Sequence, residues 1–404
     1  MPCILRKIIF LIIAFVSFSP VYSQEISINN HTDIISGAGQ LNVYLPLIKN
    51  KRVALLINQS AVIGNMLLVD TLLSLHINVV KIFVPEHGLR GREDAGATIG
   101  NSIDSATGLP VVSLYGKNKK PSVQQLADVD IVIYDLQDVG VRFYTYISTL
   151  QYAMEACAEN NKTFVLLDRP NPNGFYIDGP VLDTSLRSFV GMQPIPVVYG
   201  MTAGEYAKML VGEHWFAHAD SLKMQVVSCV NYDHTKKYEL LFPPSPNLRT
   251  MAAVYIYPSL CFFEGTIVDV GRGTDKPFQQ WGHPNFYGKS AYSYIPESTV
   301  GASQPLHYHQ VVWGQCVAYN KKEALSAITD GINLSWLLRA YKWAIPADKE
   351  RFFTPFFDKL AGNTILKLQV VKGMSEREIK ASWQADIAAF KTIRKKYLLY
   401  KDFE

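Results

Sequence analysis

The chain has 404 residues, of which 48% are hydrophobic and 18% charged; that excludes a disordered protein and exceeds what one ordinary core organises. A formal net charge of +4, with no basic run interleaved with aromatics, excludes a dedicated nucleic-acid surface. Aromatic residues make up 12%, including 22 tyrosines, which suits sugar-facing rings and ordinary core packing equally.

Arg6 and Lys7 precede an apolar run over residues 8–18 that is too short for a typical membrane span. Val21-Tyr22-Ser23 then offers small residues at the −3 and −1 positions of a cleavage site. Residues 1–23 are therefore expected to be a signal peptide, with the mature chain exported to the periplasm or the medium and no membrane association after cleavage. An uncleaved anchor is the alternative. Cys3 lies ahead of the apolar run, out of place for a lipid anchor. The mature cysteines, Cys157, Cys229, Cys261 and Cys316, are too widely spaced for a zinc site or a disulfide framework, and suit buried thiols or one or two bridges.

From residue 50 onward strands and helices alternate. Residues 53–57, 79–84, 111–114, 131–134 and 164–167 are short apolar runs expected as buried strands. Helices are expected over 65–76, over 122–127 with Ser122 as cap, and over 146–160 with Ile147, Leu150, Met154 and Ala158 on one face. Another is expected over 202–213, where Thr202 and Glu205 form a capping box, followed by a strand over 224–230. Continuous apolar strands separated by helices predict an α/β fold, a Rossmann-like doubly wound parallel sheet covered on both faces. Pro243-Pro244-Ser245-Pro246-Asn247 is unsuited to helix or strand, and the domain boundary is placed there: residues 24–245, then 246–404. Beyond it come irregular Gly- and Pro-rich segments, helices over 321–330 and 335–343, and one long helix over 375–398, together a smaller α+β domain.

In an open parallel sheet, ligands bind beyond the carboxyl ends of the strands. Three strand ends run into polar, glycine-pinned loops: Pro85-Glu86-His87-Gly88-Leu89-Arg90-Gly91-Arg92, Asp135-Leu136-Gln137-Asp138-Val139-Gly140-Val141-Arg142-Phe143-Tyr144-Thr145-Tyr146, and Asp168-Arg169-Pro170-Asn171-Pro172. There is no nucleophile elbow, no phosphate-binding loop, no dinucleotide fingerprint and no metal-binding histidine motif, so no cofactor or metal is expected. Carboxylate chemistry remains. Hydrolysis of a glycoside needs a protonated carboxyl for the leaving oxygen and usually a second group across the sugar ring. Glu86 leads as acid, because apolar surroundings at a buried strand's end favour a neutral carboxyl. Alternatively Glu86 pairs with Arg90 or Arg92 and shapes the loop. His87 either orients the carboxyl or bonds to the backbone; Asp135 and Asp168 either act in the site or hold Arg142 and Arg169.

These segments, with Tyr199-Gly200-Met201-Thr202, Pro244-Ser245-Pro246-Asn247, Phe263-Glu264-Gly265-Thr266 and Gly271-Arg272-Gly273-Thr274, resemble the bacterial exo-β-N-acetylmuramidase family over roughly residues 35–400. Ile267 stands where that family usually has asparagine. The resemblance implies a Rossmann-like catalytic domain and a smaller C-terminal domain with a cleft between them. It implies removal of N-acetylmuramic acid from the non-reducing ends of peptidoglycan fragments, with Glu86 as general acid beside His87. Arg142 or Arg272 would meet the substrate's lactyl carboxylate. Tyr144, Tyr146 and Trp281 would stack on the sugar, and Asp135, Asp168, Asn171 and Glu264 would complete the binding set. The competing expectation is a non-catalytic protein of the cell envelope that captures muropeptides.

Overall fold

The computed structural model describes residues 33–91, 93, 94, 100 and 102–404; the expected signal peptide and Arg92 lie outside them. Among the described residues the apolar runs form a seven-stranded sheet: β1 (Val53–Ile57), β2 (Val79–Val84), β3 (Ser102–Ile103), β4 (Pro110–Ser113), β5 (Ile131–Asp135), β6 (Thr163–Leu167) and β7 (Lys223–Val227). Their order is β3-β4-β2-β1-β5-β6-β7. The short β3 is antiparallel to β4, and every other neighbouring pair is parallel. Leaving β3 aside, the chain starts in mid-sheet at β1, builds outward through β2 and β4, then crosses over to build β5, β6 and β7. That is the doubly wound order, and its switch point lies between β1 and β5.

β1 is buried along its whole length because both faces of the sheet are covered. Alternate side chains point to opposite faces. Val53, Leu55 and Ile57 pack with Tyr44 and Ile48 of α1 (Leu41–Ile48) and with Leu68, Val69 and Leu72 of α2 (Leu68–Ser74). Ala54 and Leu56 pack with Ile147, Leu150 and Met154 of α3 (Tyr146–Glu159) and with Tyr206 and Leu210 of α4 (Ala203–Gly212). Each fully buried aliphatic side chain contributes roughly 1.5–3 kcal/mol. The capping boxes of Ser122 with Gln125 and of Thr202 with Glu205 are both formed. The helix expected from residue 65 begins only at Leu68, because Met66–Leu67 pairs antiparallel with Val62–Ile63.

The C-terminal part is α+β. It opens with α5 (Met251–Leu260), buried along nearly its entire length, and contains an antiparallel sheet of β8 (Gln280–His283), β9 (Tyr292–Tyr294) and β10 (Val312–Cys316) in the order β8-β10-β9. The helix expected over 375–398 is instead two, Glu376–Ser382 and α6 (Gln384–Arg394). They meet at Trp383, which leaves helical geometry and donates its buried indole N–H to Asp178 at 3.0 Å. The apolar cluster under α3 runs on through Tyr257, Phe262, Phe278 and Trp281 to Phe390, so residues Ile34–Glu404 form one unit. Cys157, Cys229, Cys261 and Cys316 are free thiols. Among the described residues no helix is long and apolar enough to cross a membrane.

Candidate active site

Glu86 follows β2, Asn58 follows β1 and Thr145 opens α3 after β5, so all three stand at the switch-point crevice. The Thr145 hydroxyl donates to Glu86 Oε2 at 2.9 Å. Beside it, Asn58 Nδ2 donates to the Tyr146 hydroxyl at 2.7 Å. The carbonyl of Pro244 then accepts from both Tyr144 and Tyr146, at 2.9 and 3.1 Å. The stiff segment read as a domain boundary is thereby pinned over the sheet's carboxyl edge.

His87 turns the chain. It and Gly88 both have positive φ, +70° and +73°. A left-handed histidine is strained by about 1 kcal/mol or more and persists only where its surroundings hold it. Here Nδ1 lies 2.7 Å from the Glu93 carbonyl and Nε2 lies 3.3 Å from Ser245 Oγ. A carbonyl only accepts, so Nδ1 carries the proton, and Nε2 accepts from the serine hydroxyl. Burial lowers the pKa of His87, against the opposing charge of Glu86, and favours the neutral ring. His87 therefore anchors the Glu86 turn to Ser245.

A cavity of about 270 Å³ opens over these residues. Glu86, His87, Tyr144, Thr145 and Ser245 line it from the α/β side, and Cys261, Glu264, Arg272 and Phe278 from the C-terminal part. Arg272 donates through Nε and Nη2 to Glu264 Oε1 at 2.9 and 2.6 Å, and the Cys261 thiol donates to Oε2 at 3.2 Å. The guanidinium also sits 5.0 Å from the Phe278 ring centroid. Burial works against the charge on Arg272, but the Glu264 carboxylate more than offsets it and raises the pKa. The rings of Phe143, Tyr257 and Phe278 close the apolar wall, with edge contacts at 5.4 and 4.9 Å.

Of the residues expected from sequence, the cavity brings together Glu86, His87, Tyr144, Glu264 and Arg272. Arg142, Asp135, Asp168, Asn171 and Tyr146 are buried and are not among its lining residues. Arg142 is fully buried, and its four terminal N–H groups go to the carbonyls of Pro180, Ile195, Leu360 and Ala361 at 2.7–2.9 Å. Asp135 holds Arg169 with bonds of 2.5 and 2.9 Å. Asp168 accepts from Thr202, Gly204 and Tyr400 and so fixes the start of α4; burial pushes its pKa up to about 6. Asn171 donates to the Met201 carbonyl at 2.8 Å. Trp281 is fully buried and stacks on Phe263 at 5.5 Å. Ile267 packs against the core. The roles of Thr145, Ser245 and Cys261 were not expected. The first two lie inside quoted motifs, but a hydroxyl in a loop gives no signal of what it will face.

Two carboxylates, a guanidinium and aromatic walls around a small, half-open cavity are the kinds of group that hydrolysis of a glycoside uses: carboxyls, charge stabilisation and an apolar surface for the ring. That is the chemistry of a glycoside hydrolase. Residues 53–252 match the family described as exo-β-N-acetylmuramidase NamZ, N-terminal, and residues 255–400 match its C-terminal counterpart. The chain is 36% identical over 375 residues to the peptidoglycan β-N-acetylmuramidase NamZ of Bacillus subtilis (strain 168), covering 88% of this chain and 89% of that protein. Two crystal structures of DUF1343 family proteins from Bacteroides fragilis NCTC 9343 share the fold. One is 46% identical with a TM-score of 0.83 over 92% of this chain and 99% of its own; the other is 28% identical with a TM-score of 0.75 over 92% and 100%. The chain belongs to the exo-β-N-acetylmuramidase NamZ family.

Proposed function

We propose that this protein is an exo-acting β-N-acetylmuramidase that removes terminal N-acetylmuramic acid from the non-reducing ends of peptidoglycan fragments, with Glu86 as general acid. The observation that carries the reading is the Glu86 carboxyl, held by Thr145 at 2.9 Å in the switch-point cavity that also contains the Glu264–Arg272 pair. In the reaction Glu86 gives its proton to the glycosidic oxygen as the bond to the anomeric carbon breaks, and water completes the hydrolysis. In this reading Arg272 meets the lactyl carboxylate, and Glu264, which pairs with it, is the second carboxylate of the cavity. Substrate of this kind lies outside the cytoplasm, and the basic, then apolar, N-terminus ending in Val21-Tyr22-Ser23 supports export to meet it.

The test offers purified protein a chromogenic β-glycoside of N-acetylmuramic acid and the matching N-acetylglucosamine glycoside. Release from the first and not the second is expected. Equal release from both removes the role given to the lactyl carboxylate, and no release from either refutes the reading.

A further inference from the structure

Next to the catalytic cavity lies a second hollow of about 350 Å³, lined by Lys119, Gln151, Tyr152, Arg187, Phe189 and Trp215 among others. The two share an aromatic wall. The Tyr115 ring lines the cavity, the Phe189 ring lines the groove, and their centroids are 5.8 Å apart. Val190, the next residue along, lines the cavity again. A chain leaving the cavity on this side has one ring to cross before it enters the groove.

The groove is firmly built. Tyr152 and Phe189 stack at 6.2 Å with their planes 15° apart. Buried Gln193 donates to Gln151 Oε1 at 3.0 Å and to the Trp215 carbonyl at 2.9 Å, and accepts from Arg187 Nη2 at 3.2 Å. Lys119 Nζ sits 4.7 Å from the Phe189 centroid. The amides of the groove's floor are thus tied to one another, the Ser188 hydroxyl is left without a partner among the described residues, and its two cations are not neutralised. Among the described residues neither Lys119 nor Arg187 has a carboxylate partner. The adjacent Lys120, by contrast, is held by Glu155 and Glu159 at 3.1 and 2.6 Å. A hollow of about 440 Å³ on the Ser245 side also has two arginines on its wall, but Arg90 is neutralised by Asp104, and two bonds to the carbonyls of Pro246 and Val300 hold Arg249, against one for Arg187. Two uncompensated cations over aromatic and amide surfaces fit a ligand with an apolar body and a carboxylate.

We propose that this groove binds the carboxylate-bearing remainder of the substrate, the portion on the leaving-group side, while the terminal sugar occupies the cavity. The proposal rests on the functional reading above. Two groups carry that chemistry in a peptidoglycan fragment: the lactyl group of a further muramic acid residue that bears no peptide, and the peptide stem where one is attached.

The experiment measures kcat/KM for the wild type and for the double variant Lys119→Ala/Arg187→Ala, whose side chains are half-buried and exposed. Three substrates are compared: the chromogenic glycoside, a peptide-free oligosaccharide whose leaving portion contains a second muramic acid, and a peptide-bearing fragment. The chromogenic rate should stay within about twofold, because its small leaving group does not reach the cations. A loss of about tenfold, equivalent to about 1.4 kcal/mol, is expected on the extended substrates. Loss on the peptide-bearing fragment alone assigns the carboxylate to the stem; loss on the peptide-free oligosaccharide alone assigns it to the lactyl group, whose carboxyl is free only where no stem is attached; loss on both means that the groove accepts a carboxylate from either. Equal values for wild type and variant on all three overturn the proposal. If the wild type hydrolyses none of them, the functional reading fails, and calorimetry with the peptide-bearing fragment decides the groove separately. Binding that the double variant loses sustains it, and absent or unchanged binding overturns it.

Discussion

Replacing Arg142 with alanine removes four buried donors at once. In the folded protein Nη1 serves Pro180 and Ile195 at 2.7 and 2.8 Å, and Nη2 serves Leu360 and Ala361, both at 2.9 Å. One side chain thus joins the loops after β6 to the Phe356–Ala361 helix of the C-terminal part. Each carbonyl stranded away from water costs about 1–3 kcal/mol, and the emptied site adds a cavity. The Ile195 carbonyl keeps the Leu182 N–H, and if relaxation rescues one more, the two left cost about 2–6 kcal/mol before the cavity is counted, against a usual total of roughly 5–15 kcal/mol. With a urea slope of about 3 kcal/mol per molar, the unfolding midpoint followed by far-ultraviolet circular dichroism falls by roughly 1–2 M. Arg142→Lys recovers little, since one ammonium cannot reach four carbonyls in the plane of a guanidinium. An unchanged midpoint together with a large loss of turnover would refute this reasoning and return Arg142 to the substrate.

Three further outcomes are expected. Thr145→Val keeps the shape of the side chain but removes the donor to Glu86, whose bond strengthens by about 1–1.5 kcal/mol as Glu86 gives up its proton and becomes a carboxylate; kcat should fall by about tenfold with the fold intact, and wild-type kcat contradicts the link. Burial pushes Asp138 up to about 6, with the Tyr199 hydroxyl and Gly140 N–H acting against the rise. Since its unfolded value is about 3.9, its contribution to stability is fully present below about pH 4 and lost as pH rises through 6, a change of roughly 3 kcal/mol. Urea unfolding of wild type and Asp138→Asn at about pH 4 and pH 7.5 should therefore show the balance shifting toward the variant at the higher pH by about that amount; a constant difference contradicts it. Burial raises the thiol pKa of Cys157, Cys229, Cys261 and Cys316, and the first three are buried while Cys316 is partly exposed. Alkylation of the folded protein read by mass spectrometry should label Cys316 first, and early loss of Cys261 would mean that the cavity floor opens.

The strands were legible because a parallel sheet covered on both faces demands unbroken apolar runs, as Val53–Ile57 shows. β7 was less legible, since its Lys223 and Gln225 are exposed and Met224 is only partly covered. α5 gave no amphipathic stripe, because it is buried on all sides and carries Pro258 inside. At the site, strand-end position and the family resemblance singled out Glu86, while Glu264 and Arg272 came from the resemblance. The same dense motifs also contain Arg142, Asp135, Asp168 and Asn171, whose polar atoms hold loops and helix starts in place. Sequence cannot separate those two uses, because a loop that must satisfy its own buried backbone needs the same residue types as a loop that must grip a ligand. Thr145 shows the converse: its neighbours Tyr144 and Tyr146 drew attention for their rings, while the hydroxyl between them reaches Glu86.

Proton donation by Glu86 is measured most directly by hydrolysis of the chromogenic N-acetylmuramic acid glycoside by wild type and Glu86→Gln, with urea midpoints taken in parallel. The amide keeps an oxygen for the Thr145 hydroxyl, so the midpoint should hold, while kcat/KM should drop by about 10²- to 10⁴-fold. Near-normal turnover in a well-folded Glu86→Gln variant would contradict that role and move the acid elsewhere, to Glu264 across the cavity or to the buried Asp138.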